Sequence, residues 1–338
     1  MPRAILKIKK EHIKENVKNL YKYSGKPLIA VIKANAYGIG ALPISLLLEG
    51  MEEVSAFAVA CVEEGIELRE AGIKKKILVL GGVLKGETKA FIEYNLTPVV
   101  SHQEHLKVLE GLNIPIHIKY DTGMGRLGFL DEVVKDERVE GVLSHFSSPL
   151  DRDFSLLQIE RFEKIVKRYT YLKYIHMESS AALVYKIPFT THVRIGLALY
   201  GERPMQDYPI ELKRTLELKA KIISIKDLPA GFPISYSRSY ITERPTRVGV
   251  VAFGYADGLM KSLSNKAHLY YRGKPVKILG NITMDMTMVD LTGMEAKIGD
   301  WVEVVGENQS FTDLAKLAGT IPYELMTNLS SRIRREVC

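Results

Sequence analysis

The sequence predicts an α/β chain: an N-terminal (β/α)8 TIM barrel over residues 1–215, then a mostly-β C-terminal domain over residues 216–338. Three observations predict it. At 338 residues the chain exceeds the size at which a single core usually stops growing. Through about residue 200, short β-rich runs alternate with longer amphipathic stretches, the order that parallel strands joined by helices require. Beyond about residue 215, β-type segments follow one another with no helix between them.

The barrel strands are read at 28–32 (LIAVI), 55–60, 76–80, 97–100, 114–119, 139–144, 173–176 and 191–195, eight short β-rich runs in all. Helices are read between them at 62–71, 86–94, 103–110, 154–169 and 179–185, where apolar residues recur at three and four. The β domain takes strands at 216–225, 234–241, 246–253, 269–271, 275–279, 286–291 and 301–305. Two short helices close it, one over 312–318 and one beginning near Tyr323, because Phe311-Thr312-Asp313 and Pro322 carry start signals. No low-complexity linker or repeat separates the halves, so firm packing between them is expected.

Composition narrows the function. Hydrophobic residues make up 46% and charged residues 26%, an ordinary globular balance, and no apolar run reaches the roughly 18 residues of a membrane span. The N-terminus, Met1-Pro2-Arg3-Ala4-Ile5-Leu6-Lys7, lacks the apolar core of a secretory signal, so a cytoplasmic location is expected. The two cysteines, Cys61 and Cys338, lie too far apart in sequence to indicate a disulfide framework or a cysteine metal cluster, and no metal is expected. The net charge of +7 raises nucleic acid as a partner. Lysines are interleaved with glutamates, however, as in Glu63-Glu64 and Glu67 near Lys74-Lys75-Lys76, and no basic-aromatic motif appears, so no nucleic-acid role is expected. The same Lys and Glu richness suits ion-pair networks at high growth temperature.

In a TIM barrel, chemistry collects at the C-terminal ends of the strands. Lys33 follows the first strand, Lys119 closes the fifth, His145 follows the sixth, His176 closes the seventh and Arg194 closes the eighth. A strand-end lysine walled by apolar side chains loses hydration of its ammonium form, which frees an amine to condense with an aldehyde. A lysine simply reaching water is the commoner arrangement, but five such residues at one rim point to a site. The glycine loop Asp121-Thr122-Gly123-Met124-Gly125-Arg126-Leu127-Gly128 permits close backbone approach to a ligand, and Arg194-Ile195-Gly196-Leu197 stands where barrels often bind phosphate. The β domain adds Ser235-Tyr236-Ser237, Gly254-Tyr255-Ala256-Asp257-Gly258, Met284-Asp285-Met286 and Pro322-Tyr323-Glu324, each weak alone.

Together these motifs, with Val31-Ile32-Lys33-Ala34-Asn35-Ala36-Tyr37-Gly38 and Ser144-His145-Phe146, resemble in content and order those of the pyridoxal-phosphate-dependent alanine racemases, almost end to end. The resemblance implies that Lys33 holds pyridoxal 5'-phosphate and is one of two catalytic bases, Tyr236 of a second copy being the other, in a homodimer with shared active sites. His145 and Arg194 match residues linking that tyrosine to the cofactor ring, with Arg194 facing the pyridine nitrogen. Tyr37, Ser180, Gly196, Leu197 and Tyr323 match the phosphate-binding set. Lys119 matches a lysine that is often carbamylated, and Arg126 an arginine near the substrate carboxylate. Met284 matches a backbone donor to that carboxylate, and Tyr255 and Asp285 match the entrance. The implied activity interconverts L- and D-alanine and supplies D-alanine to peptidoglycan.

Three positions depart from the family's pattern: Ser179 where Asn is common, Ser237 where glycine follows the tyrosine, and Ile39 where His is frequent. None removes a reacting group. A serine or broader-range racemase stays open, because a pocket built for a methyl group rejects an added hydroxyl only weakly. A decarboxylase on the same scaffold would carry Cys-x-x-x-Gly-x-Glu late in the chain, which is absent here. A non-catalytic pyridoxal-phosphate carrier would lack the β domain.

Overall fold

Strands Leu28–Val31, Val54–Val59, Lys76–Val79, Thr97–Val100, Ile116–Lys119, Val139–Leu143, Tyr174–His176 and Val193–Ile195 each pair in parallel with the next in sequence, up to Tyr174–His176. Val193–Ile195 returns to pair with Leu28–Val31, and a bridge between His176 and His192 spans the remaining seam. The result is a barrel. This computed structural model describes residues 2–338. Runs such as LIAV and TPVV are buried at every position, as strands covered on both faces demand.

The alternation with helices is less regular than eight β/α units. Helices Val62–Glu70, Thr88–Glu93, Gln103–Val108 and Arg152–Val166 cover the outside as expected. No helix follows Ile116–Lys119, because the Asp121 carboxylate gathers the backbone N–H groups of Gly123, Met124 and Arg126 into a tight loop. Only the 3-10 turn Ala181–Tyr185 follows Tyr174–His176. Helices Lys10–Ser24 and Ala41–Glu49 escaped the sequence reading, the first being amphipathic and closed by left-handed Gly25 at φ 66°.

The second sheet is ordered Lys274–Lys277, His268–Tyr271, Trp301–Val305, Leu216–Leu228, Ala4–Ile8 and Arg334–Val337, with Thr246–Val251 and Thr287–Asp290 branching from Leu216–Leu228. The start of the chain lies within this sheet and its end forms one edge. Ala4–Ile8 runs antiparallel to Leu216–Leu228, with Leu6 opposite Leu218, and parallel to Arg334–Val337. The segment read as one strand over 234–241 is instead a pair of two-residue strands, Pro233–Ile234 and Tyr240–Ile241, around a turn at Tyr236–Arg238. Ser235, Ser237 and Arg238 have φ of 66°, 58° and 50°, and the Ser235 hydroxyl bonds the Asn281 carbonyl, so a continuous strand is broken by local polar bonding.

Glu202, just after the barrel, ties it to the C-terminal domain. Its carboxylate accepts the N–H groups of Phe311 and Thr312 at the start of helix Phe311–Ala318, whose own capping box pairs Ser310 with Asp313.

Candidate active site

Lys33 sits on a turn of left-handed backbone. Ala34, Asn35, Ala36 and Tyr37 have φ between 51° and 56°, followed by Gly38 at 79°. Left-handed helix costs about 1–2 kcal/mol per L-residue, so the surroundings must hold it. Glu64 accepts the N–H of Ala34 at 2.6 Å with one oxygen and that of Ala60 at 2.7 Å with the other, and Asn35 Oδ1 accepts the Ala41 N–H. At the far end Arg335 binds the Gly38 carbonyl.

The turn delivers Lys33 to a cavity of about 690 Å³ at the C-terminal mouth of the barrel. Lys33, Tyr37, Lys119, Arg126, His145, Ser180, Arg194, Gly196, Leu197 and Tyr323 all line it. Four of these are basic, and no carboxylate lines the space, so it favours an anionic ligand. Burial, then Arg126 and Arg194, depress the Lys33 pKa against the opposing pull of Glu64. Lys119 falls to about 8, by burial and then by Arg194 and Arg126. Both lysines thus yield free amine more readily than a solvated lysine.

Arg194 is 5% exposed and held on every side. Nη1 donates to His176 Nδ1 at 2.8 Å and to the His176 carbonyl at 2.7 Å. Nη2 donates to the carbonyls of Ser144 and Met177 and, at 3.2 Å, to His145 Nδ1. A guanidinium only donates, so His145 Nδ1 must accept and its proton stands on Nε2. Burial and then Arg194 push the His145 pKa down to about 3, leaving a neutral ring. Any support His145 gives a tyrosine is therefore a hydrogen bond from Nε2, not a positive charge.

The phosphate candidates close one end. Tyr37 packs edge-on to Tyr323, ring centres 5.6 Å apart, and burial raises the pKa of both hydroxyls so that they remain donors. Gly196 lies so close to Tyr37 that a Cβ there would collide with the hydroxyl. Ser180 Oγ accepts the Ala198 N–H at 3.2 Å.

Within one chain the remaining candidates do not join this cavity. Tyr236 stands 72% exposed on the β domain, beside an apolar groove that also involves Met284, Met286 and Met288. Tyr255 and Met284 are exposed too, tied together by the N–H bonds of Tyr255 and Ala256 to the Thr283 and Met284 carbonyls. Asp285 pairs with Arg332 at 2.8 Å. Sequence reasoning missed Glu64, Arg335, His117 and Glu140. The polar alternation Ile116-His117-Ile118-Lys119 was a usable signal, since His117 shares the inward face with Lys119.

Residues 8–204 match the family model of the alanine racemase N-terminal domain, and residues 215–337 match that of the C-terminal domain. The chain belongs to the alanine racemase family. It is 64% identical to the alanine racemase of Aquifex pyrophilus, covering 100% of this chain and 99% of that one, and 63% identical to that of Aquifex aeolicus, covering 100% of both. Among solved structures it superposes on the alanine racemase of E. faecalis with a TM-score of 0.92 at 32% identity, over 100% of this chain and 98% of the other. The racemase of Bartonella henselae, solved with covalently bound pyridoxal phosphate, gives 0.91 at 27% identity over the whole of both chains. Membership of this family removes the carrier and decarboxylase alternatives.

Proposed function

We propose that this protein is an alanine racemase that interconverts L- and D-alanine with pyridoxal 5'-phosphate, in a cytoplasmic homodimer whose active sites are shared, and that it supplies D-alanine for peptidoglycan. The observation that carries the chemistry is Lys33, its ammonium destabilised by burial, in a cavity lined by four basic side chains and no carboxylate.

The residues present fit the cofactor. Lys33 offers the amine that takes an aldehyde, while the Tyr37 and Tyr323 hydroxyls, Ser180 and the closely approached backbone at Gly196 and Leu197 suit a phosphate. Arg194 spends Nη1 and Nη2 on the protein, which leaves Nε for a ring nitrogen. When bound, pyridoxal phosphate supplies the electron sink that acidifies the α-hydrogen of an attached amino acid.

Inverting a stereocentre requires a proton to leave one face and return to the other, so two bases on opposite sides are needed. Lys33 serves one side. Tyr236 of a second copy serves the other, because within its own chain it is exposed and away from the cavity. His145, neutral and protonated on Nε2, donates a hydrogen bond that stabilises a tyrosinate there, and Arg194 fixes that tautomer from Nδ1. A donor-only arginine, in place of a carboxylate, would leave a bound ring nitrogen without a proton and so temper the electron sink. Arg126 suits the substrate carboxylate, with Met284 of the second copy offering its backbone N–H.

The visible absorbance of the purified protein tests the cofactor assignment. A visible band that borohydride bleaches, with the cofactor then fixed to Lys33 and located by peptide mapping, is the expected result. A protein that takes up no pyridoxal phosphate overturns the reading.

A further inference from the structure

Inward-facing positions of a parallel barrel are usually filled by layers of branched apolar side chains. One column of this interior is polar instead. Arg194 Nη1 is 2.8 Å from His176 Nδ1, His176 Nε2 is 3.0 Å from His117 Nδ1, and His117 Nε2 is 3.3 Å from Glu140 Oε1. Lys76 Nζ pairs with the same carboxylate oxygen at 2.5 Å and reaches Thr97 Oγ1 at 3.2 Å. Both imidazoles are fully buried, whereas Glu140 and Lys76, near the starts of their strands, keep about a fifth of their side chains in solvent. The column therefore runs from the cavity at one mouth of the barrel towards water at the other.

The donor and acceptor inventory permits one proton arrangement. Arg194 cannot accept, so His176 Nδ1 accepts and the His176 proton lies on Nε2. That N–H requires His117 Nδ1 to accept, which puts the His117 proton on Nε2, where an ionised carboxylate accepts it. Every bond points from Arg194 to Glu140. Burial, then the bond to Glu140, act in opposite directions on His117, and its pKa is lowered on balance; burial and Arg194 depress that of His176. Burial pushes the Glu140 carboxyl up, but hydrogen bonds from His117 and Lys76 outweigh it and hold it at about 2.

The backbone makes room for this column. A Cβ on Gly141 would meet the His117 ring at 2.7 Å, and Tyr174 packs against that ring with centres 5.0 Å apart. Glu178, the carboxylate that acts on Arg194 through space, has its Oε1 engaged by Lys26 and Thr190 and forms no link in the column.

We propose that His176, His117 and Glu140 form a one-way hydrogen-bond relay in which Glu140, from the opposite mouth of the barrel, strengthens the grip on Arg194 and so positions its Nε in the cavity. Glu140, His117 and His176 are positioning residues: they act through Arg194. An imidazole that donates to a carboxylate is a better acceptor at its other nitrogen, the effect by which second-shell carboxylates tune histidine ligands. Two imidazoles in series carry that polarisation to the guanidinium. The catalytic consequence rests on the racemase reading; the relay itself does not.

The test is 15N- and 1H-detected NMR of the histidine rings in the purified holoenzyme, with Glu140→Gln and Lys76→Met as signed variants. Both His117 and His176 should show a bare Nδ1 and a protonated Nε2. Glu140→Gln, which still accepts but carries no charge, should move the His176 Nε2–H resonance upfield and lower kcat on the order of tenfold with KM nearly unchanged. Lys76→Met, which leaves the carboxylate more basic, should move it downfield. A proton on Nδ1 of either ring, or a His176 resonance that neither variant moves, would overturn the relay, and if Glu140→Gln does not fold then Lys76→Met decides alone. A protein that shows these ring states but racemises nothing would refute the functional reading and leave the relay standing.

Discussion

Arg335 and Gly38 lie at opposite ends of the chain, yet the guanidinium binds the Gly38 carbonyl with two donors, Nε at 3.1 Å and Nη2 at 2.6 Å. The remaining bonds of Arg335, to the carbonyls of Leu329, Ser330 and Ile333, anchor it in the C-terminal segment. The last strand thereby braces the left-handed turn that presents Lys33. Arg335→Met should relax that turn and lower kcat about tenfold or more, since misplacing a reacting group by about 1 Å can cost far more than the contact itself. Steady-state kinetics beside a thermal melt check this: a loss of activity no larger than the loss of folded protein would show that Arg335 braces the sheet alone.

Gly196→Ala places a methyl group against the Tyr37 hydroxyl and ring. Overpacking of this kind costs about 1–3 kcal/mol, here in the phosphate end of the cavity. Titrating the variant with pyridoxal phosphate should show affinity reduced by the corresponding factor, with Lys33 still able to bind it. Unchanged affinity would remove Gly196 from the phosphate set.

Lys119 gives a pH dependence of defined sign. Its folded pKa of about 8 lies below the ordinary 10.5, so the unfolded chain binds more protons between those values and stability rises with pH across that window. Below about pH 8 the buried cation is a full penalty, up to about 3 kcal/mol. Lys119→Met should therefore stabilise cofactor-free protein at pH 7, with the advantage gone by about pH 10.5. Carbamylation would achieve the same relief in the native chain by replacing a cation among Arg194, Arg126 and Lys33 with an anion. In that case 13C-bicarbonate labels Lys119, and the mutant's advantage shrinks as bicarbonate is added.

Much of this architecture was legible because it depends on local pattern. The eight barrel strands are runs of buried apolar residues bounded by polar loops, and the motif residues of the cavity stand at barrel strand ends or in the segments that follow them, except Tyr323 on helix Pro322–Thr327. What escaped depends on distant partners. Ala4–Ile8 is a strand because Leu216–Leu228 and Arg334–Val337 flank it, and nothing within residues 4–8 records those neighbours. The turn at 34–37 is left-handed because Glu64 and Arg335 hold it, against the local preference of two alanines. His117 and Glu140 read as ordinary strand residues until barrel closure stacks them under His176 and Arg194.

If Tyr236 serves a second copy, two inactive variants should rescue each other. Lys33→Ala and Tyr236→Phe are each expected to be nearly inactive. Mixed dimers hold one site with both native bases, so unfolding and refolding an equal mixture should restore about a quarter of native activity. No recovery in demonstrably mixed dimers would place both bases in one chain.

The most direct test of the central claim is incubation of the purified holoenzyme with L-alanine in deuterated water, followed by chiral separation and mass analysis. The account predicts D-alanine carrying deuterium at the α-carbon, because the proton taken from one face exchanges and solvent deuterium returns on the other. L-Alanine recovered with its α-hydrogen intact, and no D-alanine, from protein loaded with pyridoxal phosphate would contradict it.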